Sequence, residues 1–364
     1  MHPNHILSAL QRVNDPATGQ NIVQRGMVEN IVIEGQRVQF NIVLPTLNMA
    51  NKTELIFACI SAVQTMFPGV EVDVQPLART ENVLNAEGTL PHVRNIIAVA
   101  SGKGGVGKST VASNLALALR EMGASVGLVD ADIYGPSIPT MFGIQGQKPK
   151  VQDVYGAPKL IPIEVFGIHV ISIGNIIEPE QAVVLRGPRL SAIIRQFFND
   201  CVWPPLDYLV VDLPPGTGDV QLSLVQTVSV TGVVLVTTPQ DVALADAIKA
   251  MAMFELPQIN VPILGVVENM SWFTPEELPD NKYYLFGSGG GKKLALKSKS
   301  ILLGQIPIVQ GIREAGDLGK PIVLHNEPIT KKAFMDVAKS LVRQVAMRHE
   351  NLAPTQKVDV NAKM

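Results

Sequence analysis

Cysteine is scarce in this chain of 364 residues, which contains only Cys59 and Cys201. The two lie far apart in the sequence, each among apolar neighbours, so the pattern does not indicate a disulfide scaffold. We expect ordinary buried thiols in a reducing compartment, and therefore a cytoplasmic protein. The first residues, Met1–His5, show no basic stretch followed by an apolar one, so we expect no secretory signal sequence.

The sequence also lacks a surplus of charge and a long apolar run. The formal net charge is −2, which favours neither nucleic acid nor an anionic membrane as a partner. No apolar stretch is long enough to span a bilayer, and Val230–Thr238 has the length and β-branching of a buried strand. The hydrophobic content of 46% fits an α/β protein whose parallel strands are covered on both faces.

A glycine-rich sequence at residues 101–110 is the most informative feature that is present. It matches the phosphate-binding pattern G-x-x-x-x-G-K-[ST]. The defining residues are Gly102, Gly107, Lys108 and Ser109. The apolar run Ile96–Ala100 predicts a buried strand before the loop, and the apolar spacing of Val111–Glu121 predicts a helix after it. The glycines therefore lie at a strand-to-helix turn, where the pattern has a mechanism.

Such a loop is suited to a nucleoside triphosphate. Its backbone N–H groups and the positive end of the following helix would surround the phosphates. Lys108 is predicted to reach the β- and γ-phosphates, and Ser109 to offer its hydroxyl to Mg²⁺. The predicted nucleotide contacts of the loop are Gly102, Lys103, Gly104, Gly105, Val106, Gly107, Lys108, Ser109 and Thr110.

Three aspartates and a glycine follow the predicted strands and complete the expected site. Ligands of α/β sheets gather at the carboxyl ends of the strands, so these residues should face the phosphate loop. Asp132 is predicted to orient the attacking water and to contact the Mg²⁺ shell, and Asp130 to hold the loop as part of the switch; either could instead cap a helix. Asp212 follows an apolar strand, as in a Walker B motif, and is predicted to bind Mg²⁺ through water. The N–H of Gly216 is predicted to sense the γ-phosphate.

Asn269 is the candidate for contact with the base, because its amide offers both a donor and an acceptor to an adenine edge. The sequence Asn-Lys-x-Asp, which selects GTP, is absent; Asn51–Glu54 only approximates it and lies in another domain. We therefore predict ATP, with Mg²⁺, as the ligand.

The pattern of elements divides the chain into a small α+β domain (1–76), a linker (77–94), a P-loop NTPase domain (95–350) and a polar tail (351–364) that we expect to be disordered. Strands and helices alternate in the larger domain, which predicts an α/β fold with a mostly parallel sheet flanked by helices. Its predicted strands are Ile96–Ala100, Ser125–Val129, Tyr208–Val211, Gly232–Thr237 and Ile263–Val267. The small domain is predicted to contain helices over Asn4–Val13 and Lys52–Phe67, a hairpin of Met27–Ile33 and Val38–Leu44, and a strand over Val70–Val74.

A second lysine in the loop, Lys103, narrows the class of ATPase. The octapeptide Gly102–Ser109 resembles the deviant phosphate loop of the MinD, ParA and nitrogenase-iron-protein class. The resemblance implies a homodimer in which Lys103 reaches the nucleotide of the partner subunit and neutralises developing charge there. A solvated surface lysine is the alternative.

Several longer runs are similar to the Mrp/ApbC family of iron–sulfur cluster carrier ATPases. They are Ala98–Thr110, Asp130–Pro139, Arg186–Pro188, Asp212–Asp219, Thr238–Gln240 and Glu268–Ser271. The N-terminal domain resembles a small domain shared with iron–sulfur assembly proteins, through Asp15-Pro16, Gly19, Ile22-Val23 and Gly26–Val28. The resemblance implies partners among apo iron–sulfur proteins, which would receive clusters, or other cluster-assembly proteins. The net charge and the lack of a basic amphipathic helix near the C-terminus predict no nucleic-acid or membrane partner.

The sequence departs from this family at the cluster site. The family places Cys-x-x-Cys shortly after the Asn-Met-Ser run, so that four thiolates of a dimer bridge one [4Fe–4S] cluster. Here Asn269–Asp280 contains no cysteine, and we identify no iron–sulfur ligand. Two functions therefore remain open: an ATPase of cluster assembly, acting as carrier or with a partner that supplies thiols, and a MinD/ParA-like dimerisation switch with a positioning or regulatory role.

Overall fold

The computed structural model describes residues 3–14, 21–23, 27–35, 37–44, 52–78, 90–154, 156–176, 187–275, 277–278 and 281–358. The chain forms two compact units, Met1–Asn82 and Val83–Met364. Among the described helices, none combines the length and the apolar character needed to cross a membrane.

The smaller unit contains the predicted helices, hairpin and strand. Its elements are α1 (Pro3–Leu10), β1 (Val28–Glu34), β2 (Arg37–Leu44), α2 (Lys52–Met66) and β3 (Glu71–Ala78). β1 pairs with β2 in an antiparallel hairpin, and β3 runs parallel to β2. The predicted end of the last strand at Val74 is wrong, because Leu77 and Ala78 continue the ladder opposite Val43 and Leu44. The predicted linker at 77–94 therefore overlaps this strand, while residues 79–89 lie outside the described residues.

The larger unit alternates strands and helices. Its strands are β4 (Val93–Ala100), β5 (Val126–Asp130), β6 (Lys150–Val154), β7 (Ala157–Ile161), β8 (Ile163–Val165), β9 (Ile168–Ser172), β10 (Leu206–Asp212), β11 (Gly232–Thr237), β12 (Ile263–Glu268) and β13 (Leu302–Gln305). Its helices are α3 (Lys108–Glu121), α4 (Ile138–Met141), α5 (Gly187–Asn199), α6 (Asp219–Thr227), α7 (Asp241–Phe254), α8 (Gly290–Lys297), α9 (Gln310–Asp317) and α10 (Pro328–Asn351).

Eight of these strands form one sheet in the order β13-β12-β11-β4-β10-β5-β9-β8. Every pairing in this sheet is parallel except that of the edge strand β8 with β9. The prediction of an α/β fold with a mostly parallel sheet is therefore confirmed. β4 starts at Val93, earlier than predicted, since Val93 and Asn95 pair with Leu206 and Tyr208 of β10.

Alternate residues of the central strand pack on opposite faces of the sheet. Ile96, Ala98 and Ala100 belong to one core cluster, whereas Ile97 and Val99 belong to the other. Both faces of β4 are therefore buried, as expected for a parallel strand covered by helices on each side. This double burial explains why the strand is an uninterrupted apolar run in the sequence.

The predicted disorder of the tail is wrong for residues 352–358. The Arg348 guanidinium donates to the carbonyl of Ala353 and to the hydroxyl of Thr355, each at 2.7 Å. The N–H of Val358 donates to the carbonyl of Val225 at 3.0 Å. A buried arginine at the end of α10 therefore fixes this segment, although its own sequence is polar. Residues 359–364 lie outside the described residues.

Candidate nucleotide-binding site

The phosphate loop connects β4 to α3, and its backbone depends on glycine. Gly105 and Gly107 have φ values of +80° and +78°, in the left-handed region that glycine adopts without strain. A Cβ on Gly107 would also lie 2.1 Å from the side-chain nitrogen of Asn269. The loop therefore curls tightly just before α3 begins at Lys108, which aims the free N–H groups of that helix at a ligand.

Gly102 is required for a different reason, the close approach of another helix. A Cβ at this position would lie 2.0 Å from the carbonyl carbon of Asp246 in α7. The backbone of the loop is thus in direct contact with the backbone of α7, and a side chain at residue 102 would separate them.

A pocket of about 200 Å³ lies over the loop. Of the predicted nucleotide contacts, it is lined by Lys103, Gly104, Gly105, Gly107, Lys108, Ser109 and Thr110. Asp132 lines it as well, together with Ser101, Ser137, Met141 and Pro215, which the sequence analysis did not single out. Ser137 precedes the short helix α4 and Met141 is its last residue. Ser137 lies in the run Asp130–Pro139 that carries the family resemblance, but its residue type alone did not indicate contact with a ligand.

Lys108 lies between two carboxylates at the base of this pocket. Its Nζ is 2.7 Å from Oδ1 of Asp212 and 3.3 Å from Oδ2 of Asp132, and it donates to the Ser109 hydroxyl at 3.3 Å. Lys108 is 6% exposed and Asp212 is fully buried. The geometry therefore brings together the lysine, the serine and the two aspartates predicted to act on the phosphates and Mg²⁺.

Asp212 has the properties of a residue that binds a hydrated cation. Burial raises the pKa of its carboxyl group, whereas the charge and hydrogen bond of Lys108 lower it. Its second oxygen, Oδ2, is buried without a hydrogen-bond partner in the described part of the chain. Buried polar atoms are normally paired, and carboxylate and hydroxyl oxygens suit Mg²⁺, which keeps several of its waters. Asp212, with Ser109 and Asp132 nearby, therefore fits a Mg²⁺ site.

Asp130 holds the turn after β5 and does not line the pocket. Its Oδ1 accepts the N–H of Asp132 at 3.2 Å, and its Oδ2 accepts the N–H of Ile138 at 3.3 Å and the hydroxyl of Ser172 at 2.8 Å. Burial, followed by the neighbouring Asp212 carboxylate, raises the pKa of Asp130 to about 8. These contacts fix the backbone of Asp132 relative to the start of α4 and the end of β9.

The predicted γ-phosphate sensor, Gly216, makes an internal contact in this structure. Its N–H donates to the carbonyl of Ser101 at 2.8 Å, and its φ of +92° requires glycine. Gln221 supports the same turn, because its side-chain amide donates to the carbonyls of Pro214 and Gly216 at 2.8 and 3.0 Å. The N–H of Gly216 is therefore hydrogen-bonded to Ser101, the first residue of the 101–110 segment.

Asn269 directly follows β12 and contacts the backbone of the phosphate loop at Val106. Its side-chain nitrogen donates to the carbonyl of Val106 at 2.9 Å, and its own N–H donates to Thr237 at 2.8 Å. Neither Asn269 nor Val106 lines the pocket. Lys103, in contrast, is half-buried at the pocket, and its side chain forms no ion pair with any described residue.

The thiols of this chain do not fit a bridged cluster. Cys59 lies in α2 of the smaller unit and Cys201 between α5 and β10 of the larger one. Both are buried, and burial raises the pKa of each to about 12. No group of three or more His, Cys, Asp or Glu residues suited to a metal occurs among the described residues. Of the acids near the family's cluster position, Glu277 is exposed, whereas Glu276 and Asp280 lie outside the described residues.

Two family models match the chain. The family model described as "NUBPL iron-transfer P-loop NTPase" matches residues 92–342, and the model described as "Iron-sulfur cluster assembly protein" matches residues 4–74. The predicted resemblance to cluster carrier ATPases is therefore confirmed.

Similar proteins are known from several organisms. Two are named iron-sulfur cluster carrier protein: one from Synechocystis is 46% identical over 94% of this chain and 97% of its own length, and one from Deinococcus radiodurans is 44% identical over 96% and 98%. A solved structure of a nucleotide-binding protein from Archaeoglobus fulgidus, in complex with ADP, is 39% identical and covers 68% of this chain and 94% of its own, with a TM-score of 0.58. With matches of this extent, the chain belongs to the family of iron–sulfur cluster carrier P-loop NTPases.

Proposed function

We propose that this protein is a Mg²⁺-dependent ATPase of iron–sulfur cluster assembly, which works as a cytoplasmic homodimer and passes clusters to apoproteins. The observation that carries the proposal is the buried cluster of Lys108, Asp212 and Asp132 beneath the pocket of the phosphate loop. Membership of the carrier family supports cluster transfer over a MinD/ParA-like positioning role.

The residues of the site divide the work of phosphoryl transfer. Ser109 and Asp212, with Asp132, would hold Mg²⁺, which supplies positive charge to the β- and γ-phosphates. Lys108 adds a point charge there, and Lys103 adds one from the partner subunit. Asp132 lies at the pocket with a carboxylate oxygen that accepts the hydrogen of the attacking water. Asp130 and Asn269 position these groups from behind, and the Gly216 N–H exchanges the Ser101 carbonyl for the γ-phosphate.

Cluster handling requires soft ligands that this chain does not bring together. A [4Fe–4S] cluster is held by thiolates, and both cysteines are buried in separate units. We therefore propose that the cargo is held with thiols from a second protein, a scaffold or the recipient apoprotein, while this chain contributes the ATP-dependent step.

Removal of the lysine tests the ATPase assignment. Lys108→Ala removes the charge on the phosphates, so release of phosphate from MgATP should fall to the background rate. Lys249→Ala, at an exposed lysine of α7, serves as control and should retain full turnover. Because Lys108 also pairs two carboxylates, Ser109→Ala provides a second variant with a smaller change in structure. Undiminished turnover in both site variants would refute the assignment.

Mixed dimers test the role of Lys103. Lys103→Ala subunits lack the charge supplied in trans, and Asp132→Asn subunits lack the group that orients water. If each site takes its lysine from the other chain, a mixed dimer contains one complete site and turns over ATP, while each parent is inactive. Differently tagged subunits purified as the mixed species provide the sample, and its inactivity would contradict sharing of Lys103.

A further inference from the structure

Glu268 is a fully buried carboxylate at the carboxyl end of β12. It accepts the N–H of Gly291 at 2.6 Å with one oxygen and the side-chain amide of Gln305 at 2.6 Å with the other. No cation pairs with it in the described part of the chain. Both oxygens of this buried side chain are therefore taken up by protein donors, which fixes its orientation between α8 and β13.

The first of these contacts ties Glu268 to the start of α8. A Cβ on Gly291 would lie 2.6 Å from the Cβ of Glu268, and one on Gly290 would lie 2.4 Å from the carbonyl oxygen of Pro239. The first turn of α8 therefore packs directly against the residues at the ends of β11 and β12, and a side chain at Gly290 or Gly291 would not fit between them. A carboxylate at this end of a helix also complements the helix dipole.

The residues that follow Glu268 form a turn after β12, and this turn contacts the phosphate loop. Asn269 donates to Val106 at 2.9 Å, and its amide fills the space that a Cβ on Gly107 would need. Met270 has a φ of +54°, a strained conformation for a residue with a side chain. Ser271 is fully buried, and its hydroxyl donates back to the carbonyl of Glu268 at 2.8 Å.

We propose that Glu268 is a positioning residue that couples the phosphate loop to α8 and to Trp272. This inference rests on the proposed function, because it assumes that MgATP occupies the loop. A movement of the Val106 carbonyl when MgATP binds would displace the Asn269 amide that is hydrogen-bonded to it. Since Glu268 and Ser271 fix the turn on both sides, the change passes to the first turn of α8 and to Trp272, rather than being absorbed locally.

Trp272 provides an optical readout of this coupling. It follows Ser271 directly, its carbonyl accepts the N–H of Ile308 at 2.7 Å, and the Lys282 ammonium lies 4.1 Å from the centre of its ring. Displacement of that cation alters indole emission. The chain has only one other tryptophan, Trp203, which is buried and donates to the Phe197 carbonyl, so loss of the signal in Trp272→Phe assigns it.

The test compares Glu268→Leu with a matched control. A leucine accepts neither hydrogen bond, and a glutamine would not serve because Gln305 could turn its amide to accept from it. In Glu268→Leu the MgATP-induced change in Trp272 emission should therefore fall to less than half, while MgATP binding by equilibrium dialysis stays within about fivefold of the unaltered protein. Glu327→Leu removes a carboxylate that caps α10 by accepting the Thr330 N–H, and should leave the emission change intact.

A double variant separates coupling from loss of folding. In Glu268→Gln/Gln305→Glu the amide at 268 donates to the carboxylate at 305 and accepts the Gly291 N–H, so both hydrogen bonds are present and the emission change should be retained. A full response in Glu268→Leu, or no response in a folded double variant, would overturn the coupling. Binding of MgATP to the unaltered protein without an emission change would overturn the coupling alone, whereas absence of binding would overturn the proposed function and the coupling with it.

Discussion

Gly102 is needed because no side chain fits at this position. Its backbone contacts α7 so closely that a methyl group would lie 2.0 Å from the carbonyl carbon of Asp246. Gly102→Ala should therefore lower the free energy of unfolding by about 3 kcal/mol, since overpacked positions relax at a cost of this order. Urea denaturation measures the change. Gly104→Ala is the control in the same loop, because its nearest neighbour would be Pro215 at 3.9 Å, and it should change stability by less than about 0.5 kcal/mol.

Equal stability of the two variants would show that α7 moves away from the loop at little cost. The comparison also shows how far single residues could be predicted. The phosphate-loop motif marked Gly102 as a defining residue. The sequence near Gly102 did not indicate its contact with α7, because that helix lies about 140 positions later in the chain.

Asn269 and Gly216 show a second limit at the residue scale. Their hydrogen-bonding groups were predicted to meet the base and the γ-phosphate, and in the structure they contact Val106 and Ser101 instead. An amide or an N–H has the same chemistry toward a ligand and toward a backbone carbonyl, so the sequence cannot distinguish the two partners. Their contacts with nucleotide therefore stay predictions.

At the scale of elements, the five predicted strands of the larger unit are buried ones, although the buried strand β9 (Ile168–Ser172) was not predicted. β4, β5, β10, β11 and β12 are buried on both faces and form apolar runs. β6 is almost wholly exposed, and its partner β7 is anchored by an isolated bridge between Leu160 and Cys201. This hairpin has no apolar alternation to signal it, and it depends on a contact formed only in the folded chain.

The tail after α10 provides a prediction at the same scale. His349 directly follows Arg348, whose guanidinium binds the tail. Its Nε2 lies 2.7 Å from Oδ1 of Asn95. Burial, and then the Arg348 charge, lower the pKa of His349 below its usual 6.5. The ring resists protonation in the folded chain, so the stability that it contributes beside Arg348 is present above pH 6.5 and is lost as the pH falls below it. Because Arg348 holds the tail, docking of the tail should weaken over the same range. Protection of the Val358 N–H against hydrogen exchange should therefore be lower at pH 5.5 than at pH 7.5.

The variant His349→Gln removes the titrating group but keeps a donor for Asn95. Its protection factor for residues 352–358 should vary little between these two pH values. An equal protection factor at both pH values in the unaltered protein would contradict the role of His349.

At the scale of the whole molecule, the sequence predicted the family and its departure together. The motifs that carry nucleotide chemistry are local, since each is a short run at the end of a strand, and so they can be recognised without the fold. The apolar neighbours of the two cysteines likewise predicted buried thiols, and in the structure Cys59 and Cys201 are both buried, in separate compact units. Neither offers a thiolate at neutral pH, since burial raises both pKa values to about 12.

We therefore expect that the purified protein does not hold a [4Fe–4S] cluster by bridging thiolates. After anaerobic incubation with iron and sulfide, bound iron and charge-transfer absorption should stay near background, and addition of a thiol-bearing scaffold protein should be needed for cluster uptake. About four irons per dimer that persist in the double variant Cys59→Ala/Cys201→Ala would show that oxygen or nitrogen ligands suffice. The same iron lost in that variant would assign the cluster to these thiols, which would require the protein to open where they are buried. Either result would leave the nucleotide site unchanged, because neither cysteine contacts it.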